Sequence, residues 1–144
     1  MCPVRQYQET QVSTSSPMAL VIMLYDEADR TLELAEAAFN IQDPSRIEQI
    51  GNHLLHAQDV ITELAVSLDM EKGGEIARQL HRLYDFMVLH LSQADVQKEV
   101  KGVRDVRKML AELKEAWAEV AKKEVVAEAP QRQMSANSTI HIMG

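Results

Sequence analysis

Residues 44–68 read PSRIEQIGNHLLHAQDVITELAVSL. Within them Ile47, Ile50, Leu54, Ala57, Ile61, Leu64 and Leu68 recur at alternating steps of three and four. A helix turns about 100° per residue, so this spacing lays the apolar side chains along one narrow stripe. Such a seam buries itself against similar seams on neighbouring helices, as in antiparallel bundles. Asp43 can cap the helix and Pro44 can open it. The stretch therefore predicts a helix from about Pro44 to Leu68. Leu55 and Val66 fall together on a different face, with Thr62 between them.

The upstream segment is apolar in another way. Met18–Tyr25, MALVIMLY, carries no charge and follows Ser15-Ser16-Pro17. Serine can accept from an unpaired N–H at a helix start, and proline suits the first turn. A helix is expected from about Pro17 to Phe39, with an inner stripe of Val21, Leu24/Tyr25, Ala28, Leu32, Ala35 and Phe39. Leu20, Met23 and Leu34 lie outside that stripe. A helix apolar on every side must be central or covered by something else. Beyond Tyr25 it becomes acidic through Asp26, Glu27, Asp29, Glu33 and Glu36. Residues 1–16 form an arm whose sizeable apolar side chains are Val4, Tyr7 and Val12. Two readings of the arm stay open: disorder, or Tyr7 and Val12 packed against the helices.

Downstream, Gly73-Gly74 is a helix stop. A third helix is expected from about Gly74 to Asp95, with Ile76, Leu80, Leu83, Met87, Leu91 and Ala94 inward. Tyr84 and Val88, four residues apart, sit together at one edge of it. A fourth helix is expected from about Glu99 to Lys123, with Val103, Val106, Leu110, Leu113, Trp117 and Val120 inward. Its outer face mixes both charges, as solvated helix faces do. Residues 124–144 lose periodicity and read as a flexible tail. Four helices of similar length on short loops predict an all-α, up-down-up-down antiparallel four-helix bundle over 17–123. Leu24-Tyr25-Asp26 recurs as Leu83-Tyr84-Asp85, on helices that would run parallel. Related hairpins and coincidence both account for that tripeptide.

Composition narrows the function. At 144 residues the chain has the size of one domain, enough to bury about two-thirds of its extended surface. Its net charge of −7 repels phosphate backbones, which argues against nucleic acid. A lone cysteine, Cys2, excludes an internal disulfide framework. No apolar run approaches the roughly 20 residues of a membrane span, and the N-terminus lacks a signal-peptide layout. A cytoplasmic helical protein without membrane insertion is expected.

Helical bundles can host chemistry, but the residues for it are missing. No glutamate has a histidine three residues on, as a di-iron bundle would need. His53 and His56 share a face, yet nothing in sequence completes a zinc site. A histidine phosphotransfer bundle would place small or basic residues one turn after its histidine; His53, His56, His81 and His90 lack a lysine-glycine pair there. No serine or cysteine has the surroundings of a nucleophile, and Gly73-Gly74 lacks phosphate-loop spacing. No enzyme, cofactor or metal is expected. What remains is surplus apolar surface: Leu20, Met23, Leu34, Leu55, Val66, Tyr84 and Val88, with Phe86 and Leu89 beside them. Either these residues widen the core, or they line a groove for an amphipathic segment. Met18, Met23, Met87 and Met109 would make such a surface adaptable.

Longer runs carry a resemblance. Tyr7…Gln11-Val12-Ser13-Thr14-Ser15-Ser16-Pro17…Leu20…Met23-Leu24-Tyr25-Asp26 resembles the opening of the FliS family of flagellar export chaperones. Ala57-Gln58-Asp59-Val60-Ile61-Thr62-Glu63-Leu64, Gly73-Gly74-Glu75-Ile76-Ala77, Leu83-Tyr84-Asp85-Phe86-Met87 and Leu113-Lys114-Glu115-Ala116-Trp117 follow in the family's order. The resemblance covers roughly residues 5–123. It implies a bundle in the bacterial cytosol that binds the C-terminal segment of flagellin and prevents premature polymerisation. It also implies delivery to the flagellar type III export apparatus, with the export gate as a further partner. The arm, through Tyr7, would cover part of the groove and yield to flagellin. The partner-binding set expected is Tyr7, Val12, Leu20, Met23, Leu55, Val66, Tyr84 and Val88, on a monomer or weak dimer. The rival classes are a phosphotransfer bundle and a self-associating structural bundle. Two positions depart from the family pattern: Glu27 where glycine is usual, and Asp95 where asparagine is usual.

Overall fold

In the computed structural model, backbone is described for residues 17–138 and side chains for 17–120 and Lys122. Four helices follow in order: α1 (Pro17–Ala38), α2 (Arg46–Val66), α3 (Met70–Gln97) and α4 (Val100–Ser138). Each packs against its chain neighbours, and α1 also packs against α4, which closes the ring. The pairings run in opposite senses along successive helices. Asp26, Asp29 and Glu36 of α1 meet Lys114, Arg107 and Arg104 of α4, in that reversed order. Gln58 of α2 donates to the Val88 carbonyl and to Ser92 on α3. The bundle is thus up-down-up-down, as the short connections require.

The core lies where the stripes meet. Leu24, Tyr25, Ala28, Leu32 and Ala35 of α1 face Ile50, Leu54, Ala57, Ile61 and Leu64 of α2. Met87, Leu91 and Ala94 of α3 and Val103, Val106 and Leu110 of α4 close it. Three expected members of the seams stand outside it: Ile47, Ile76 and Val120 are exposed. Val60 and Thr31 are buried instead. The Thr31 hydroxyl has no hydrogen-bond partner among the described residues.

The turns differ from expectation in instructive ways. Asp43 does not cap α2; its carboxylate accepts from the Ser45 N–H at 3.1 Å, within the turn, and α2 starts at Arg46. Asp69 caps α3 instead, accepting from the N–H groups of Glu71 and Lys72. The turn Met70–Gly73 therefore belongs to α3, whose start precedes the expected Gly74. The glycine signal survives as a kink: Gly74 has φ 55°, ψ −131°, a conformation that residues with a Cβ avoid. At the other end of α3, Lys98 takes the left-handed conformation and its ammonium reaches the Asp95 carboxylate at 2.7 Å. A Cβ at Gly102 would approach the Ala94 Cβ to 2.9 Å, so glycine there permits the close crossing of α3 and α4. The backbone of α4 stays helical past Lys123 to Ser138, across the segment expected to be irregular.

Candidate functional site

Two apolar depressions open beside one another on the bundle. The first, a cleft of about 250 Å³, lies where α1 begins, α2 ends and α3 begins. Met18, Val21, Leu64, Leu68, Ala77 and Tyr84 contribute to its walls. The second, a trough of about 500 Å³, lies between α3 and α4, among Leu83, Leu113, Ala116 and Val120. Ile76, Leu80 and Trp117 border both. These are stripe residues, set inward by periodicity. They remain partly uncovered at this end of the bundle. The close crossing at Gly102 lies at the opposite end.

Beneath the ridge between the two depressions lies a small polar chain. The Trp117 indole N–H donates to the Tyr25 hydroxyl at 3.0 Å. Tyr25 and Tyr84 share a hydroxyl–hydroxyl bond of 2.5 Å, with their rings tilted at 59°. Burial, reinforced by the proximity of Tyr84, pushes the Tyr25 phenol above its ordinary range; burial raises Tyr84 as well. Both stay neutral and serve as donors and acceptors, not as bases. The tyrosines of the repeated Leu-Tyr-Asp tripeptide are thus the pair that meets across the core.

Ion pairs tie neighbouring helices together. Glu27 accepts from Arg30 and reaches His56 of α2 at 2.8 Å. Its carboxyl is held below the usual range, mainly by the Arg30 bond and further by His56, against the opposing effect of burial. The charge at this position therefore ties α1 to α2. Arg107 of α4 bonds Asp29 and Glu36 of α1, each at 2.9 Å, and its pKa rises chiefly through the Asp29 bond. His90 of α3 reaches Asp105 of α4 at 3.2 Å and stacks on Phe86. Among the described residues no cluster of three or more His, Cys, Asp or Glu could hold a metal ion. No described helix is long and apolar enough to cross a membrane.

The sequence-predicted contact residues separate into groups. Leu55 and Val66 are 59% and 74% exposed on the outer side of α2. Leu20 and Met23 are half-buried on α1. Val88 is half-buried and packs against the core. The edge position expected for Tyr84 is corrected: it is 1% exposed and bonded to Tyr25 in the core, although it also lines the cleft. Met87, expected to soften the surface, is likewise fully buried. Tyr7 and Val12 lie outside the described residues. Conversely, Ile76, Leu80, Leu83, Leu113, Trp117 and Val120 line the site although periodicity assigned them to the core. Nothing in their spacing distinguishes a stripe that meets a partner helix from one that meets a gap.

The fold and site define a class: an antiparallel helical bundle whose own apolar stripe is left open as a groove. The family described as Flagellar protein FliS matches residues 1–124. The chain is 36% identical over 112 residues to the flagellar secretion chaperone FliS of Vibrio cholerae, covering 78% of this chain and 80% of that one. It is 34% identical over 116 residues to that of Salmonella typhimurium, covering 80% and 84%. For Campylobacter jejuni the figures are 34% over 122 residues, covering 85% and 93%. This chain belongs to the FliS family.

Proposed function

We propose that this protein is a cytosolic export chaperone for flagellin. It binds flagellin's C-terminal segment, keeps it from polymerising early, and delivers it to the flagellar type III export apparatus, whose gate is a further partner. The observation that carries this reading is the pair of adjoining apolar depressions on a bundle of this family. A secreted subunit that becomes helical only on assembly exposes apolar side chains beforehand. Holding it requires a long apolar surface and no hydrolysis. The ordering entropy of the bound chain is offset by apolar area removed from water.

In this reading Met18, Val21, Leu80, Leu83, Leu113 and Trp117 take the bound segment's apolar side chains. Leu20, Met23, Leu55, Val66 and the exposed edge of Val88 extend the contact over neighbouring faces. The arm, with Tyr7 and Val12, competes for the same surface. The test is co-purification and calorimetry with a flagellin C-terminal fragment. A 1:1 complex with the protein still helical is expected. A tight dimer in sedimentation that the fragment neither binds nor dissociates would instead favour a self-associating bundle.

A further inference from the structure

Three side chains border both depressions, and one of them has a polar anchor. Of the three residues common to both, Ile76 and Leu80 on α3 carry aliphatic side chains, whereas Trp117 on α4 is tethered through its N–H to Tyr25. Tyr25 is itself fixed by Tyr84, and both hydroxyls are buried. Each polar group in this chain thus restricts the next, and the last is an indole standing at the surface. Without the tether, Trp117 could turn about its side-chain torsions into either depression, since both are large enough to leave it room. With the tether, one orientation is selected before any ligand arrives. A site pre-organised in this way spends less of its binding energy on ordering.

We infer that Trp117, held by the Tyr25–Tyr84 pair, is a specificity-determining partition in the groove. The inference rests on the reading that the groove takes a flagellin segment, and it adds what that segment must look like. A chain entering both depressions has to cross the indole. The residue at the crossing must be small, Gly, Ala or Ser. Large aliphatic side chains must flank it: a limited set in the 250 Å³ cleft and more in the 500 Å³ trough. Trp117 is the wall that the bound chain touches, and Tyr25 is the positioning residue, acting only through the hydrogen bond that fixes the indole.

The full-length protein and its Tyr25→Phe and Trp117→Phe variants provide the test. Trp117 is the chain's only tryptophan, so fluorescence reads its state directly. In the free protein, Tyr25→Phe should raise acrylamide quenching of Trp117 while far-ultraviolet circular dichroism stays unchanged. Binding is then measured by calorimetry with a flagellin C-terminal peptide in which each Gly, Ala and Ser is replaced in turn by Leu. The parent protein should reject one such peptide steeply. Both variants should lose on the order of fivefold in affinity for the unmodified peptide, the worth of one hydrogen bond. Both should also relax the rejection of the bulky peptide. The double variant should lose less than the sum of the two single losses, because both substitutions break the Trp117–Tyr25 bond.

Failure of the unmodified peptide to bind the parent protein would refute the flagellin reading, and quenching alone would then decide whether Tyr25 anchors the indole. Binding that is unaltered in both variants, with every bulky peptide tolerated equally, would overturn the partition. If Tyr25→Phe fails to fold, Trp117→Phe leaves both tyrosines in place and answers the same question.

Discussion

Ile76→Asp separates the groove from the rest of the surface more cleanly than any other substitution. Ile76 is 69% exposed and borders both depressions, so the folded bundle gains little from it. Exposed substitutions of this kind change stability by about 0.5 kcal/mol or less. A bound segment would gain much more. Fully burying an isoleucine is worth roughly 1.5–3 kcal/mol, and the 69% still exposed leaves about 1–2 kcal/mol for the ligand to collect. An unpaired carboxylate under an apolar ligand adds a penalty of about 1–3 kcal/mol. Together these weaken the complex by roughly 3 kcal/mol, on the order of a hundredfold in Kd. Calorimetry with the flagellin fragment, beside a thermal melt of the free variant, measures both quantities. Leu55→Asp on the outer face of α2 is the matched control and should cost less than about tenfold, since Leu55 borders neither depression. A folded Ile76→Asp protein that binds within about twofold of the parent would show that the occupant does not lie over α3 and α4. If Leu55→Asp alone abolished binding, the outer face of α2 would be the dock.

Tyr84→Asp should act as a folding lesion. It places a carboxylate at a 1% exposed position beside Tyr25, costing about 3 kcal/mol or more, and its melt should fall before any binding defect can be assigned. Glu27→Gln tests the α1–α2 tie. Because the folded state lowers the Glu27 pKa, its contribution is fully present above the ordinary glutamate range and is lost as pH falls through the depressed value. The variant should therefore melt below the parent near neutrality, with the gap closing in acid; a gap that stays constant with pH would exclude an ionic origin. Thr31→Val replaces a buried hydroxyl that has no partner among the described residues, keeping its shape. It should stabilise by about 1 kcal/mol, a rise of roughly 3 °C in Tm by calorimetric scan.

Much of this protein is determined by sequence alone. Steps of three and four across residues 47–68 specify a helix with one buried side, and short polar connections leave its neighbours no choice but antiparallel packing. Those are local facts: periodicity, capping and loop length act within a few residues. Tyr84 shows where such reasoning stops. Its neighbours Tyr25 and Trp117 are distant in the chain, and only their meeting turns an apparent edge residue into the centre of a hydrogen-bonded core. Ile76 and Val120 show the converse: a stripe position is buried only if another helix arrives over it. Gly102 permits a close approach of α3 and α4 at one end, and both depressions lie at the other, near the kink at Gly74. A helix's own sequence records which side is apolar; whether that side meets a neighbour or open space depends on inter-axial spacing, which exists only once all four helices are packed.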